Sequence, residues 1–271
     1  MLLPSSQAEL AGQAELLCEK WVGDIRVTHK CYTHDFAQTW HSHPAGTIDY
    51  VLQGGGVGTY AGREIESSPG MVEFFREDIR HRFRSHPRGI RSMHVVLPER
   101  FLRGLPQLRH TAVQALRHSD AMVLATKLLS ELHTNDPSSP IQIESLVYEL
   151  IDEVTNYVAR REPRAGWLGQ ARMMLSDSLL EPISLSDVAA EVQIDRSHLA
   201  RTFKARMGLS VGEYHRRLRI QRVAGELAGS DQPISGIACR FGFADQAHLT
   251  RIFRAWMGIT PARYRLLLRR R

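Results

Sequence analysis

The chain has 271 residues, of which 43% are hydrophobic and 24% are charged. This composition is that of an ordinary globular protein and excludes a disordered or fibrous chain, and the length favours two domains. Residues 167–271 carry 17 Lys and Arg against 9 Asp and Glu, whereas residues 1–166 carry 18 against 20. A cationic excess in one segment indicates a polyanion as its partner, with a merely solvated basic surface as the alternative.

The cysteines and the hydrophobic runs indicate the compartment. Cys18, Cys31 and Cys239 form no CxxC pair and are too few for a disulfide framework, so we expect reduced thiols. The N-terminus lacks the pattern of a secretion signal, and no apolar run approaches the roughly 20 residues that span a bilayer. The sequence therefore predicts a cytoplasmic protein with no membrane partner.

Short β-prone runs alternate with turn signals between about residues 25 and 97. They include residues 47–52 and 57–60, which are separated by the glycine run 54–56, and residues 71–75, which follow a Pro-Gly pair. Closely spaced short strands with turn signals predict a β-sandwich or barrel.

From residue 111 the apolar residues recur at helical spacing. They form two sets: Val113, Leu116, Val123, Leu124, Leu128 and Leu132, then Ile143, Leu146, Leu150, Val154 and Val158. We predict two amphipathic helices over residues 111–160, which either mediate dimerisation or simply cover the barrel. The charged segment 160–166 contains Pro and Gly and is predicted to be an interdomain linker.

The C-terminal part contains a near-duplication. The run HLARTFKARMGLS at residues 198–210 corresponds to HLTRIFRAWMGIT at residues 248–260, 50 residues later. Each copy is predicted to form a short helix, a tight turn and a second helix that begins near Asp195 or Asp245. Two helices joined in this way form the helix-turn-helix, whose second helix lies in the major groove of DNA. Residues 214–227 are predicted to form a helix that connects the two copies.

The second helix of each copy has an apolar and a polar face. The apolar residues, spaced i, i+4, i+8, are predicted core residues: Leu199, Phe203, Met207, Leu249, Phe253 and Met257. The polar residues are Arg196, Ser197, Arg201, Lys204, Gln246, Thr250, Arg251 and Arg254. Because Arg can bind guanine, Gln can bind adenine and Thr can meet a thymine methyl, we predict DNA contacts. The alternatives are a solvated helix face and, for Arg201 or Arg251, an internal salt bridge.

This duplicated pattern closely resembles the signature of the AraC/XylS family of bacterial transcription regulators. The resemblance is carried by Ile237-Ala238, Gly242-Phe243, Asp245, His248-Leu249, Arg251, Phe253-Arg254, Gly258, Thr260-Pro261 and Tyr264-Arg265. It implies a sequence-specific DNA-binding regulator, not an enzyme, that acts on promoter DNA with RNA polymerase. The resemblance also favours activation of transcription over repression. It places base contacts at Ser197, Ala200, Arg201, Gln246, Ala247, Thr250 and Arg251. The two alanines can offer only methyl contacts.

The N-terminal part is similar to the cupin-type sensor domain of this family. The similarity is carried by His41-Ser42-His43-Pro44, Tyr50-Val51-Leu52, Pro69-Gly70 and His81-Arg82-Phe83. It implies a barrel in which His41, His43 and His81 bind a small-molecule effector. In metal-binding cupins the corresponding histidines and a carboxylate surround an ion; here Thr47 stands at the carboxylate position, and Asp49 lies two residues further on the same strand face.

We therefore expect no cofactor, with a transition metal held by the three histidines as the alternative. The alternative function is a metal-dependent cupin enzyme, a dioxygenase or isomerase, fused to a DNA-binding domain. The predicted fold is an α+β multidomain protein. Residues 1–110 form a cupin-like effector-sensing β-barrel, residues 111–160 a helical linker or homodimerisation segment, and residues 167–271 an all-α domain with two helix-turn-helix motifs.

Overall fold

The computed structural model describes residues 10–269 apart from residues 12, 107, 109–110, 112, 117–119, 135, 137, 160–165 and 182. The chain divides into two compact units, Met1–Arg160 with Arg265–Arg271, and Arg161–Tyr264. The predicted linker at residues 160–166 lies outside the described residues except for Gly166. None of the described helices combines the length and the apolar character that crossing a membrane requires.

The first unit is built on an antiparallel sheet of nine described strands. The strands are β1 (Leu10–Ala11), β2 (Ala14–Val22), β3 (Ile25–Tyr32), β4 (Ala37–His41), β5 (Gly46–Tyr60), β6 (Arg63–Ser67), β7 (Val72–Phe75), β8 (His81–Leu97) and β9 (Val113–Leu116). They are paired in the order β1-β4-β8-β5-β7-β9, with β3 joining β2 to β8 and β6 beside β5. This antiparallel sheet agrees with the predicted β domain.

The glycine run at residues 54–56 does not form a turn, contrary to the prediction. Strand β5 continues through it and is irregular there, with register shifts opposite β8. Gly54 has a φ of +72°, and a Cβ at this position would lie 2.0 Å from the carbonyl oxygen of Gly89. The glycine is therefore needed because the two strands approach closely at a bulge.

Val113–Leu116 forms a strand, whereas the sequence predicted a helix over this segment. These residues pair with β7 along the register Phe75↔Val113 to Val72↔Leu116. Leu116 is buried as a residue of this strand and not as part of a helix face. A four-residue apolar pattern does not distinguish a helix from a strand. The strand forms here because its backbone pairs with β7.

Three helices complete the described part of the first unit. They are α1 (Glu99–Arg103), α2 (Ala121–Leu132) and α3 (Ser139–Ala159). Six of the predicted apolar residues of these helices are buried: Leu128, Leu132, Ile143, Leu150, Val154 and Val158. The other three, Val123, Leu124 and Leu146, are only partly buried. The Tyr50 hydroxyl lies 2.8 Å from Thr126 Oγ1, so α2 packs against β5.

The second unit is helical, as predicted. Its helices are α4 (Trp167–Asp177), α5 (Leu185–Glu191), α6 (Arg196–Met207), α7 (Val211–Gly229), α8 (Ile234–Arg240), α9 (Gln246–Met257) and α10 (Pro261–Arg269), the last of which extends beyond its boundary. The pairs α5–α6 and α8–α9 are the two helix-turn-helix copies. The connecting helix α7 is longer than the predicted segment 214–227, and it buries Tyr214, Leu218, Val223 and Leu227.

Candidate nucleic-acid interface and histidine cluster

Helices α6 and α9 begin in the same way, after an aspartate that accepts backbone hydrogen bonds. The Asp195 carboxylate accepts hydrogen bonds from the backbone N–H groups of Ser197 and His198, at 3.0 and 2.9 Å. Asp245 accepts the equivalent bond from His248 at 2.6 Å. These bonds stabilise the helix N-termini, and the backbone bond from His198 lowers the pKa of the Asp195 carboxyl. The prediction that the second helix of the first copy begins near Asp195 is confirmed.

The apolar faces of α6 and α9 form the core, as predicted. Five of the six residues are buried: Leu199, Phe203, Leu249, Phe253 and Met257. Met207 is only partly buried at the edge of the core. The Phe203 ring meets Tyr214 edge to face at 5.3 Å between centroids, and Phe253 meets Tyr264 at 5.5 Å. The repeated aromatic pair fixes the orientation of each helix.

The ten residues predicted to contact DNA stand away from this core. Eight are exposed: Arg196, Ser197, Arg201, Lys204, Gln246, Ala247, Arg251 and Arg254. Ala200 and Thr250 are partly buried at the edge of the same surface. Within the described part of the chain, neither Arg201 nor Arg251 forms a salt bridge. Both side chains are exposed and can reach an external partner.

The exposed face of α9 forms a wall of an open concavity. The lining residues are Gln246, Ala247, Thr250, Arg251, Arg254, Ala255 and Thr260. Sequence reasoning missed Ala255 and Thr260. Ala255 lies four residues after Arg251 and so shares its face, which the helical period could have indicated. A concave surface with two arginines, an amide and hydroxyls suits a polyanion that also presents hydrogen-bonding edges.

His41, His43 and His81 come together in the first unit. His41 ends β4 and is paired with His81, the first residue of β8. His43 lies two residues beyond the end of β4, so a shared strand face is not what brings it close to His41. The ring centroids are 4.3 Å apart for His41 and His81, 4.7 Å for His41 and His43, and 5.2 Å for His43 and His81.

Hydrogen bonds to backbone carbonyls orient two of these rings. His41 Nδ1 lies 2.8 Å from the carbonyl oxygen of Thr39, and His81 Nδ1 lies 2.7 Å from that of Ile79. Because a carbonyl oxygen can only accept, each Nδ1 carries the proton, and each neutral ring keeps a lone pair on Nε2. Burial lowers the pKa of His43 to about 4 and also lowers the pKa of His81.

Asp49 does not join the histidine cluster. Its Oδ1 lies 2.8 Å from Nδ1 of His94, its partner in the β5–β8 ladder. His94 Nε2 lies 2.9 Å from Ser92 Oγ and 3.2 Å from the Tyr32 hydroxyl. Sequence reasoning missed this second polar network, although Ser92 and His94 alternate as residues of one strand face do.

Two family models match the chain. Residues 22–151 match the AraC-like ligand binding domain, and residues 188–266 match a helix-turn-helix domain. The chain is 27% identical over 228 residues to the HTH-type transcriptional activator RhaS of Klebsiella pneumoniae (strain 342), covering 76% of this chain and 79% of that protein. It is 36% identical over 72 residues to the Multiple antibiotic resistance protein MarA of Escherichia coli (strain K12), covering 27% of this chain and 57% of that protein.

Among solved structures, the AraC-like transcriptional activator CuxR is similar at 18% identity and a TM-score of 0.46, covering 79% of this chain and 81% of that one. ToxT from Vibrio cholerae is similar at 12% identity and a TM-score of 0.41, covering 91% and 99%.

Proposed function

The chain belongs to the AraC family of helix-turn-helix transcription regulators, and we propose that α6 and α9 bind two adjacent major grooves of promoter DNA under the control of an effector bound in the β domain. The observation that carries this proposal is the repeated exposed face of the two helices, which presents arginines at matching positions, Arg201 and Arg251, that form no salt bridge among the described residues. A merely structural DNA binder would have no use for the β domain.

The polar residues divide into two roles. We assign base contacts to Ser197, Ala200, Arg201, Gln246, Ala247, Thr250 and Arg251. Phosphate contacts are assigned to Arg196, Lys204 and Arg254, which project from the same helices and are exposed. Phosphate contacts set the affinity and the register, whereas base contacts set the sequence preference.

The β domain is proposed to sense the effector at His41, His43 and His81. An effector controls DNA binding only if it binds two arrangements of the protein with different affinities. Contacts between the sheet and the residues that follow α2 support this coupling: His29 Nδ1 lies 2.8 Å from His133 Nε2, and Lys20 Nζ donates to the carbonyl of Thr134 at 2.9 Å. We propose that residues 1–110 sense the effector, residues 111–160 connect the two parts, and residues 167–271 bind DNA.

We also propose that the protein is an activator that acts in the cytoplasm as a homodimer and contacts RNA polymerase. Helix α3 supports the dimer, because Ile141 is 73% and Tyr148 47% exposed and their seven-residue spacing places them on one face.

Sedimentation of the full chain at tens of micromolar is expected to give a dimer. The Ile141→Lys variant is expected to sediment as a monomer, because the charge would lie in the apolar contact. A monomeric wild type would contradict this interface.

The DNA-binding proposal is tested by selection of sites from random duplex DNA with the full chain at near-physiological salt. We expect a bipartite motif whose halves lie about one helical turn apart, because two recognition helices enter successive major grooves. An Arg251→Ala variant serves as the control and should lose the preference in one half only. Binding without any recovered motif would refute the sequence-specific function.

A further inference from the structure

We propose that Trp40, Arg80, Arg82 and Arg84 form a second nucleic-acid contact, through which the β domain binds the phosphate backbone of duplex DNA beside the operator. These four residues are called the arginine patch. The patch is a feature of the first unit alone, whereas its ligand rests on the proposed function, so the experiment separates the two.

The first argument is the local charge. Strand β8 carries four arginines and neither Asp nor Glu, although acids outnumber Lys and Arg in residues 1–166 as a whole. Arg82 and Arg84 alternate with Phe83, so they lie on one face of the strand. Both are exposed, and so is Arg80, which comes immediately before β8. The positive charge of this segment is therefore gathered on one surface.

The second argument is that these charges have no acidic partner. Within the residues that the structure describes, Arg80, Arg82 and Arg84 form no salt bridge. Glu64 and Glu66 lie on the same face of the ladder, but they belong to β6, and β5 separates β6 from β8. Like charges repel one another, and an anion that binds between them relieves the repulsion.

The third argument is the indole of Trp40, which is 43% exposed near the end of β4. The guanidinium carbons of Arg80 and Arg82 lie 5.8 and 5.3 Å from its ring centroid. Stacking uses the face of a guanidinium group and leaves its N–H groups available at the edge. Arg82 uses only Nε within the domain, as a donor to Thr59 Oγ1 at 3.2 Å. The patch therefore presents two oriented guanidinium groups, which suit phosphate oxygens.

The fourth argument is the charge density of the partner. Duplex DNA carries one negative charge per about 1.7 Å of helix axis, so two arginines stacked on one indole can both meet phosphates. An extended acidic peptide offers a carboxylate on one side only every roughly 7 Å, because its side chains alternate. DNA is also the polyanion that α6 and α9 are proposed to bind. A contact from the β domain would add to the same complex and raise its affinity.

The experiment uses the full chain and two duplexes, which carry the selected operator either alone or extended on each side by about two helical turns of random sequence. Fluorescence anisotropy gives the Kd at several salt concentrations. We expect the double variant Arg80→Ala/Arg82→Ala to reduce the slope of log K against log salt on the extended duplex by up to about 1.8, since each lost phosphate contact contributes about 0.9. On the operator alone its slope should equal that of the wild type. Trp40→Leu should give a smaller reduction, because the charges remain but are no longer stacked.

The double variant Arg63→Ala/Lys127→Ala is the matched control, because it removes the same charge from exposed positions of the first unit outside the patch. It should leave both slopes unchanged. An unchanged slope of the Arg80→Ala/Arg82→Ala variant on the extended duplex, an equal reduction on the operator alone, or an equal reduction in the control variant would each overturn the proposal. A wild type that selects no operator would instead refute the proposed function. In that case the slopes on a random duplex of the extended length still decide whether the patch binds DNA.

Discussion

Replacing Phe203 with alanine is expected to destabilise the helical unit by about 3–5 kcal/mol, because a large buried ring is lost and leaves a cavity. Phe203 is fully buried and belongs to a core cluster with residues of α4, α5 and α7, and its ring contacts Tyr214. Since domains are typically stable by about 5–15 kcal/mol, this loss would remove a large part of the stability.

Hydrogen exchange of the full chain measures this effect locally. We expect faster exchange of amides in α6 and α7, whereas β5 and β8 belong to the other compact unit and should keep their protection. Phe203→Leu is the control and should cost clearly less, since most of the apolar volume is retained. Unchanged protection in α6 of the alanine variant would contradict the assigned core.

Replacing Arg251 with alanine is expected to weaken binding to the selected operator by about 1–3 kcal/mol, or roughly 5- to 150-fold. The exposed guanidinium has no salt bridge within the described residues and can form two hydrogen bonds to guanine. Binding to random DNA should change little, and the base preference at one position of the operator should relax. Fluorescence anisotropy with both duplexes measures this difference.

Arg254→Ala on the same helix is the matched control for charge. Arg254 is assigned to a phosphate, so its removal should weaken binding to all sequences and reduce the slope of log K against log salt by about 0.9. Lys204→Ala is the equivalent change in the first copy. Equal losses on operator and random DNA for Arg251→Ala would assign Arg251 to the backbone as well.

The helix-turn-helix copies could be predicted because their determinants are local. The spacing of Leu249 and Phe253 identifies the buried face, and Asp195 caps its helix through residues two and three positions away. Such short-range interactions repeat in both copies, so each copy supports the assignment of the other. The arginines on the opposite face follow from the same periodicity.

The first unit was predicted less completely because its structure depends on pairing between distant segments. Val113–Leu116 has an apolar pattern that suits a helix or a strand, and its strand forms because the edge of β7 offers backbone partners. The glycine run was predicted to be a turn, but Gly54 accommodates a close approach of Gly89 from a strand about 35 residues away. Both the strand at Val113–Leu116 and the irregular strand at Gly54 depend on a segment that is distant in sequence and adjacent in the fold.

The sequence by itself therefore determined the DNA-binding half and the identity of the three histidines. Only the tertiary structure decided that His41 and His81 face each other, that backbone carbonyls orient both rings through Nδ1, and that Asp49 lies beside His94 instead of the histidine cluster. The physical reason is that helix faces and caps arise from residues a few positions apart. A site assembled across a sheet depends on strand register, which is fixed by pairing and burial over the whole unit.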